Sequence, residues 1–178
     1  LLKYVAKNRR EKDPLRYDAL QAAASKVEAH QVEVRAWVSI NRDLNDETRR
    51  AALLSIEGRA AQAYWEGVRE LVPPVLGWPG REGRGAADVF NAALNYGYAV
   101  LYGQVERAIL LAGLDPYAGF IHVDRPGKPS LVLDLIEEFR APVVDRALLG
   151  MLGQGVALQQ DVEGRLEMET RRTLATRV

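Results

Sequence analysis

The chain has 178 residues, 48% hydrophobic and 27% charged, which is long and apolar enough to bury a core and unlike the composition of disordered segments. It contains no cysteine, excluding disulfide frameworks and thiolate zinc or iron–sulfur sites, and no apolar run approaches the ~20 residues that a membrane span needs. Its 24 basic residues balance 24 acidic ones, so the bulk positive charge of many nucleic-acid binders is missing, and the Leu, Ala, Glu and Arg content predicts an all-α fold.

A single helical domain over residues 1–178 is expected, divided into a basic leader (1–13), a core (14–150) and a C-terminal helical tail (151–178). With no signal-peptide core at its start, the sequence reads as cytoplasmic. The leader and its continuation carry Lys3, Lys7, Arg9, Arg10, Lys12 and Arg16 against Glu11 and Asp13, and read as a solvated helix end, with phosphate binding as the alternative. Asp13-Pro14 then starts a helix whose apolar stripe, Leu20, Ala23, Ala24, Val27, Val34, Trp37 and Val38, runs to about Ile40. His30 lies beside that stripe and reads as packed or capped rather than as a ligand.

After the polar break at 41–45, Asn45 or Asp46 caps a helix predicted to run to about Val72, where Pro73-Pro74 ends it. Its expected apolar face is Leu54, Ala61, Trp65, Val68 and Val72. Glu57 falls on the same stripe, where a carboxylate needs a partner, and the spacing leaves two readings open: a structural ion pair with an arginine, or a metal ligand or catalytic acid.

Residues 73–85 form a Pro/Gly-rich loop with Arg81 and Arg84. No Gly-Lys-Ser/Thr closes it, so it is read as a solvated connection, or as a mobile loop whose arginines meet a nucleic-acid backbone. The next helix is predicted from about Ala86 to Ala112, with Asn91, Asn95 and Tyr98 in a polar line that orients something nearby. An irregular stretch with His122 follows, and Ser130 is expected to cap a strongly amphipathic helix bearing Asp134, Glu137 and Glu138 on one side. Asp134 and Glu137, at i and i+3, are close enough to share a cation. Oxygen donors with one imidazole suit Mg²⁺ or Mn²⁺.

Several blocks carry a family pattern. They are Ile56-Glu57-Gly58-Arg59-Ala60-Ala61 with Tyr64, Asn91 to Tyr98, Gly113 to Pro116, Gly119-Phe120-Ile121-His122, and Ser130 to Arg140 followed by Pro142 and Asp145-Arg146. In this order they resemble the helical catalytic domain of the CRISPR-associated protein one family, the spacer-acquisition integrase. The resemblance implies a metal-dependent DNA endonuclease and integrase that inserts captured fragments into a repeat array. It implies Glu57, His122 and Glu137 as ligands of Mg²⁺ or Mn²⁺, Asp134 as an accompanying catalytic acid, and Arg59, Arg84, Asn95, Tyr98 and Arg140 as neighbours of the metal site or DNA contacts. It further implies DNA as substrate, a homodimer, and a small ferredoxin-like partner, CRISPR-associated protein two.

Members of that family usually begin with a β-rich domain, and nothing in residues 1–53 reads as alternating strands, so the sequence is read as a fragment, a shorter lineage or part of a fusion. A non-catalytic helical assembly module of the same fold is the rival reading. A ferritin-like di-iron bundle would need paired Glu-x-x-His motifs, and the sequence has none.

Overall fold

The computed structural model describes residues 1–83, 85–122 and 127–178, apart from the side chain of Asn8. The fold is all-α: among the described residues there is no strand, and an antiparallel bridge joins Gln160 and Leu166. None of the described helices is long and apolar enough to cross a membrane. The chain forms two compact units, Leu1–Leu71 and Val72–Val178.

The first unit holds α1 (Leu2–Ala6), a 3₁₀ turn (Lys7–Arg9), α2 (Pro14–Ile40) and α3 (Asp46–Arg69). Pro14 starts α2 where its missing N–H costs nothing, and the Asp13 carboxylate accepts from the Arg16 N–H at 3.2 Å. The Asn45 side chain does the same for Thr48 at 2.8 Å and starts α3. The short connection makes α2 and α3 a hairpin, and α1 packs on both.

The basic leader packs through its apolar residues, while Lys3, Lys7, Arg10 and Lys12 are exposed, as expected of a solvated helix end. Leu2 and Ala6 are buried, and Lys3 pairs with Glu28 at 2.5 Å. The stripe expected on α3 is corrected. Its buried residues are Ile56, Ala63, Gly67 and Val68, while Leu54 and Ala61 are exposed. The inward face is rotated so that Ile56, and not Glu57, points into the core.

The second unit is built around α4 (Val89–Leu111), joined by α5 (Ser130–Phe139), a π-helical segment (Arg140–Asp145), α6 (Arg146–Gly153) and α7 (Met168–Ala175). Phe90, Ala93, Leu94, Leu101, Val105 and Ile109 bury much of α4's circumference, as a central helix requires. The helices α5 and α7 and the π segment pack on it. Gly97 permits the closest of these approaches, since a Cβ there would lie 2.5 Å from Val144 Cγ1.

Asp88, whose carboxylate accepts from the Asn91 N–H at 2.8 Å, starts α4 at Val89, three residues after the expected Ala86. The helical tail expected over 151–178 is likewise corrected. Residues 154–167 turn through Gly155 and Gly164, both at positive φ, and the Asp161 carboxylate gathers the N–H groups of Glu163 and Arg165, so helix returns only in α7.

Candidate functional site

His122 owes its position to Asp134. The Asp134 side chain projects from the second turn of α5 and accepts the backbone N–H of Phe120 at 2.5 Å, Ile121 at 2.9 Å and His122 at 2.9 Å. One of its oxygens also lies 2.6 Å from the His122 Nδ1. Burial pushes the Asp134 carboxyl up, but the N–H of Ile121, the His122 ring and the N–H groups of His122 and Phe120 outweigh it, holding the carboxyl below its ordinary value. An ionised carboxylate on Nδ1 fixes the tautomer with the proton there. That leaves the Nε2 lone pair, which makes no hydrogen bond among the described residues.

Further contacts stitch the strap that carries His122 to the start of α5. Ser130, buried in the first helical turn, donates its hydroxyl to the Tyr117 carbonyl and accepts from the Gly119 N–H at 3.0 Å. The Leu131 N–H reaches the Pro116 carbonyl at 2.9 Å. Pro129 is the N-cap, so the expected capping role of Ser130 is replaced by this bridge. A Cβ on Gly119 would fall 2.6 Å from Ser130 Cβ, a measure of how closely the strap lies on the helix.

The i, i+3 spacing of Asp134 and Glu137 is realised on α5, but the two carboxylates have different partners. Glu137 pairs with Arg140 at 2.6 Å. Arg140 is the first residue of the π segment, and its guanidinium carbon lies 5.0 Å from the centre of the Tyr98 ring. The Arg81 guanidinium lies over the same ring at 5.3 Å. The Tyr98 hydroxyl donates to Asp145 at 2.5 Å, in a pair where Asp145 is 2% exposed. Burial, then the charge of Asp145 and the hydrogen bond to it, raise the phenol far above its ordinary value. Tyr98 therefore keeps its proton and offers its ring rather than acid–base chemistry.

The polar line on α4 pins the loop before it. Asn91 is fully buried, donates to the Gly80 carbonyl at 2.6 Å and to Asp88 at 2.7 Å, and accepts from the Glu82 N–H at 2.9 Å. Asn95 accepts from Arg81 at 2.8 Å and donates to the Gly83 carbonyl at 2.8 Å. The loop around Arg81 is thus fastened to α4 and is not a solvated connection. Arg84 lies outside the described residues.

In the first unit, Glu57 is exposed on α3, so the argument that burial forces a partner on it does not hold. Arg59 reaches the Glu33 carboxylate at 2.5 Å, and the other oxygen of Glu33 takes His30 at 2.8 Å. His30, partly exposed on α2, is thus engaged by Glu33. Within neither unit, among the described residues, do three or more His, Asp or Glu side chains gather to hold a metal ion. Sequence reasoning named Arg81 as a loop arginine that could meet a nucleic-acid backbone, without its partners on α4, and assigned Asp145 no role. The signal for both is long-range: Asp145 is 47 positions from its partner Tyr98.

The family profile described as CRISPR associated protein Cas1 matches residues 1–178. A relative from Archaeoglobus fulgidus, named CRISPR-associated endonuclease Cas1 1, is 37% identical over 171 residues, covering 93% of this chain and 48% of its own length. CRISPR-associated endonuclease Cas1 from Hyperthermus butylicus is 39% identical over 179 residues, covering 100% of this chain and 50% of its own. The chain thus spans about half the length of these curated relatives. Among solved structures, a casposase bound to integration product aligns with TM-score 0.67 and 25% identity, over 99% of this chain and 58% of the other. A partial Cas6-RT-Cas1–Cas2 complex aligns with TM-score 0.71 and 23% identity, over 96% of this chain and 51% of the other, which speaks for the fold. The profile match and the relatives' identities together establish that this chain belongs to the CRISPR associated protein Cas1 family.

Proposed function

We propose that this chain carries the catalytic helical part of a DNA endonuclease and integrase, which inserts captured fragments into a repeat array by phosphoryl transfer to a DNA 3′-hydroxyl. The observation that carries the reading is the Asp134–His122 couple, an imidazole fixed through Nδ1 with its Nε2 available. Histidines that bind metals are oriented by a carboxylate in this way. Support also comes from the relatives' names as endonucleases and the casposase neighbour's integration product.

In this reading Glu57, His122 and Glu137 hold a divalent cation, Mg²⁺ or Mn²⁺, whose chemistry is to polarise the scissile phosphate and offset the charge growing on its oxygens. Asp134 keeps the His122 Nε2 aimed and its tautomer fixed. Arg140 steadies the Glu137 carboxylate through their ion pair. Arg59 and Arg84 are DNA contacts of the same proposal, and Asn95 and Tyr98 support the loop and ring beside Arg140. DNA, a second copy of the chain and a Cas2-type partner complete the assembly, in keeping with the Cas1–Cas2 titles of the structural neighbours.

The test is strand transfer of a labelled duplex into supercoiled plasmid with Mn²⁺. The parent joins DNA, while Glu57→Ala, His122→Ala and Glu137→Ala stay folded and lose at least about 100-fold in rate, the range for a lost group that stabilises transition-state charge. A parent that neither joins DNA nor binds Mn²⁺ would instead make this chain a non-catalytic assembly module.

A further inference from the structure

The outward face of α2 is uncharged where a surface helix is normally charged and polar. The inward stripe holds the buried Leu20, Ala23 and Ala24, and on the opposite side Ala22, Ser25, Ala29, Val32, Ala36 and Ser39 are all exposed. Val32 is 66% exposed, and Ile40, next to Ser39, is 80% exposed. The spacing along this face alternates between three and four residues, which lets one helix lie along another as a coiled coil.

Charges flank this seam, Lys26 and Glu33 along one edge and Glu28 and Arg35 along the other. Such flanking residues set which partner a helix takes and in which direction. Laid parallel on a second copy, Glu28 faces Glu33 of that copy, a like-charge contact made twice by symmetry. Laid antiparallel with Ala29 opposite Val32 of the second copy, Ser25 falls opposite Ala36 and Ala22 opposite Ser39. In that register Glu28 meets Arg35 along one edge and Lys26 meets Glu33 along the other, each contact again made twice.

The charges are placed to make these contacts. Arg35 is exposed and has no ion pair among the described residues. Glu28, Lys26 and Glu33 have partners in Lys3, Glu66 and the His30–Arg59 pair, yet stay about half exposed. The small side chains of the seam bring two backbones to roughly 8 Å, the near end of the range for packed helices. We infer that two copies of this chain pair antiparallel through the outward faces of α2, with the two-fold axis passing between Ala29 and Val32. The pairing names a surface for the second copy invoked above and rests on none of the integrase chemistry.

The experiment is sedimentation velocity of the full chain over a range of concentration, at low and high salt. The parent dimerises. Arg35→Glu sets Glu28 against a like charge at both contacts and weakens the dimer about tenfold at low salt, and less at high salt. Glu28→Arg does the same. An equimolar mixture of these two variants regains the parent's affinity, because each copy supplies the complement at both contacts, and that recovery also shows that both are folded. Ala29→Arg, at an exposed position, leaves a monomer. The chain has no cysteine, so introduced thiols report the register directly. Ser25→Cys mixed with Ala36→Cys forms a disulfide, and neither does so alone, since the like positions lie about 16 Å apart along the helices.

A parent that stays monomeric, parent-like affinity in Arg35→Glu and Ala29→Arg, or a mixture no tighter than its components would each overturn the inference. So would a disulfide formed by Ser25→Cys with itself, which makes the pairing parallel. A dimer with these properties that is inert in strand transfer keeps the pairing and loses the integrase reading. Strand transfer by a chain that never self-associates does the reverse.

Discussion

In the first unit the polar pairs lie in the open: Lys3–Glu28, Lys26–Glu66 and Arg59–Glu33 all have side chains about half exposed. In the second unit Asn91, Ser130 and Asp145 are buried and join segments 11, 13 and 47 positions apart. Pairs in water are screened and add little, whereas buried ones are costly to leave half-made. The comparison teaches that the second unit uses polar groups to fix geometry, holding a loop, a strap and a ring, while the first uses apolar contact for its fold and decorates the outside.

The sharpest way to break that contrast is Asp145→Ala, which strands the Tyr98 hydroxyl in the core. It should destabilise the chain by about 3 kcal/mol in urea denaturation. A loss below about 1 kcal/mol would mean that the buried pair fixes nothing. Asn91→Ala comes next, at about 2 kcal/mol, with faster proteolysis in the loop near Gly80 to Gly83 because its bonds to Gly80, Arg81 and Glu82 go together. Unchanged cleavage there would detach the loop from its helix as a cause.

A subtler test is Asp134→Asn, which keeps the shape but removes the charge. The amides of Phe120, Ile121 and His122 should exchange roughly tenfold faster, matching the loss of about 1.4 kcal/mol from a charged acceptor, and the imidazole should populate both tautomers by nitrogen NMR. A single retained tautomer would remove Asp134 from the orienting role.

The smallest effect belongs to the first unit. The Glu33 carboxyl is held below 4.5 first by its hydrogen bond to His30, against the cost of desolvation, and then by Arg59. Its folded value being depressed, its contribution is present above pH 4.5 and fades as pH falls through the folded value. Arg59→Ala should move the Glu33 titration up towards 4.5 with no resolvable change in melting temperature. A clear drop in melting temperature at neutral pH would erase the difference between the units.

Much of this was legible in the sequence where causes are local. Asp13-Pro14 and Asn45 start helices because a side chain reaches a backbone N–H three residues on, which is visible in a short window. The Asn91, Asn95 and Tyr98 line was also visible, though what it orients, the loop around Arg81, was not. The start of α4 was missed because Ala86 and Ala87 favour helix by propensity while the Asp88 cap sets the boundary. The face of α3 was misjudged for a different reason: Leu54 and Trp65 suggest one stripe, and packing selects another through Ile56 and Gly67. His122 and Asp134 could be named from residue type and family pattern, but their bond closes through a strap whose path no periodicity encodes.

The six-residue π turn from Arg140 to Asp145 has a consequence for how this segment tolerates change in length. Such a turn holds a residue more than an α-helix would accommodate over the same rise, so losing one residue near Ala141 or Val143 would not break the helix but regularise it. Because the wide turn has already absorbed that residue, the segment downstream would keep nearly the same phase, so Asp145 would stay beneath Tyr98 and α6 would keep its face towards α4. The same deletion within the regular turns of α5 would instead rotate everything downstream by roughly 100° and dismantle the ring platform, so the irregular turn is the place where this segment absorbs a change in length.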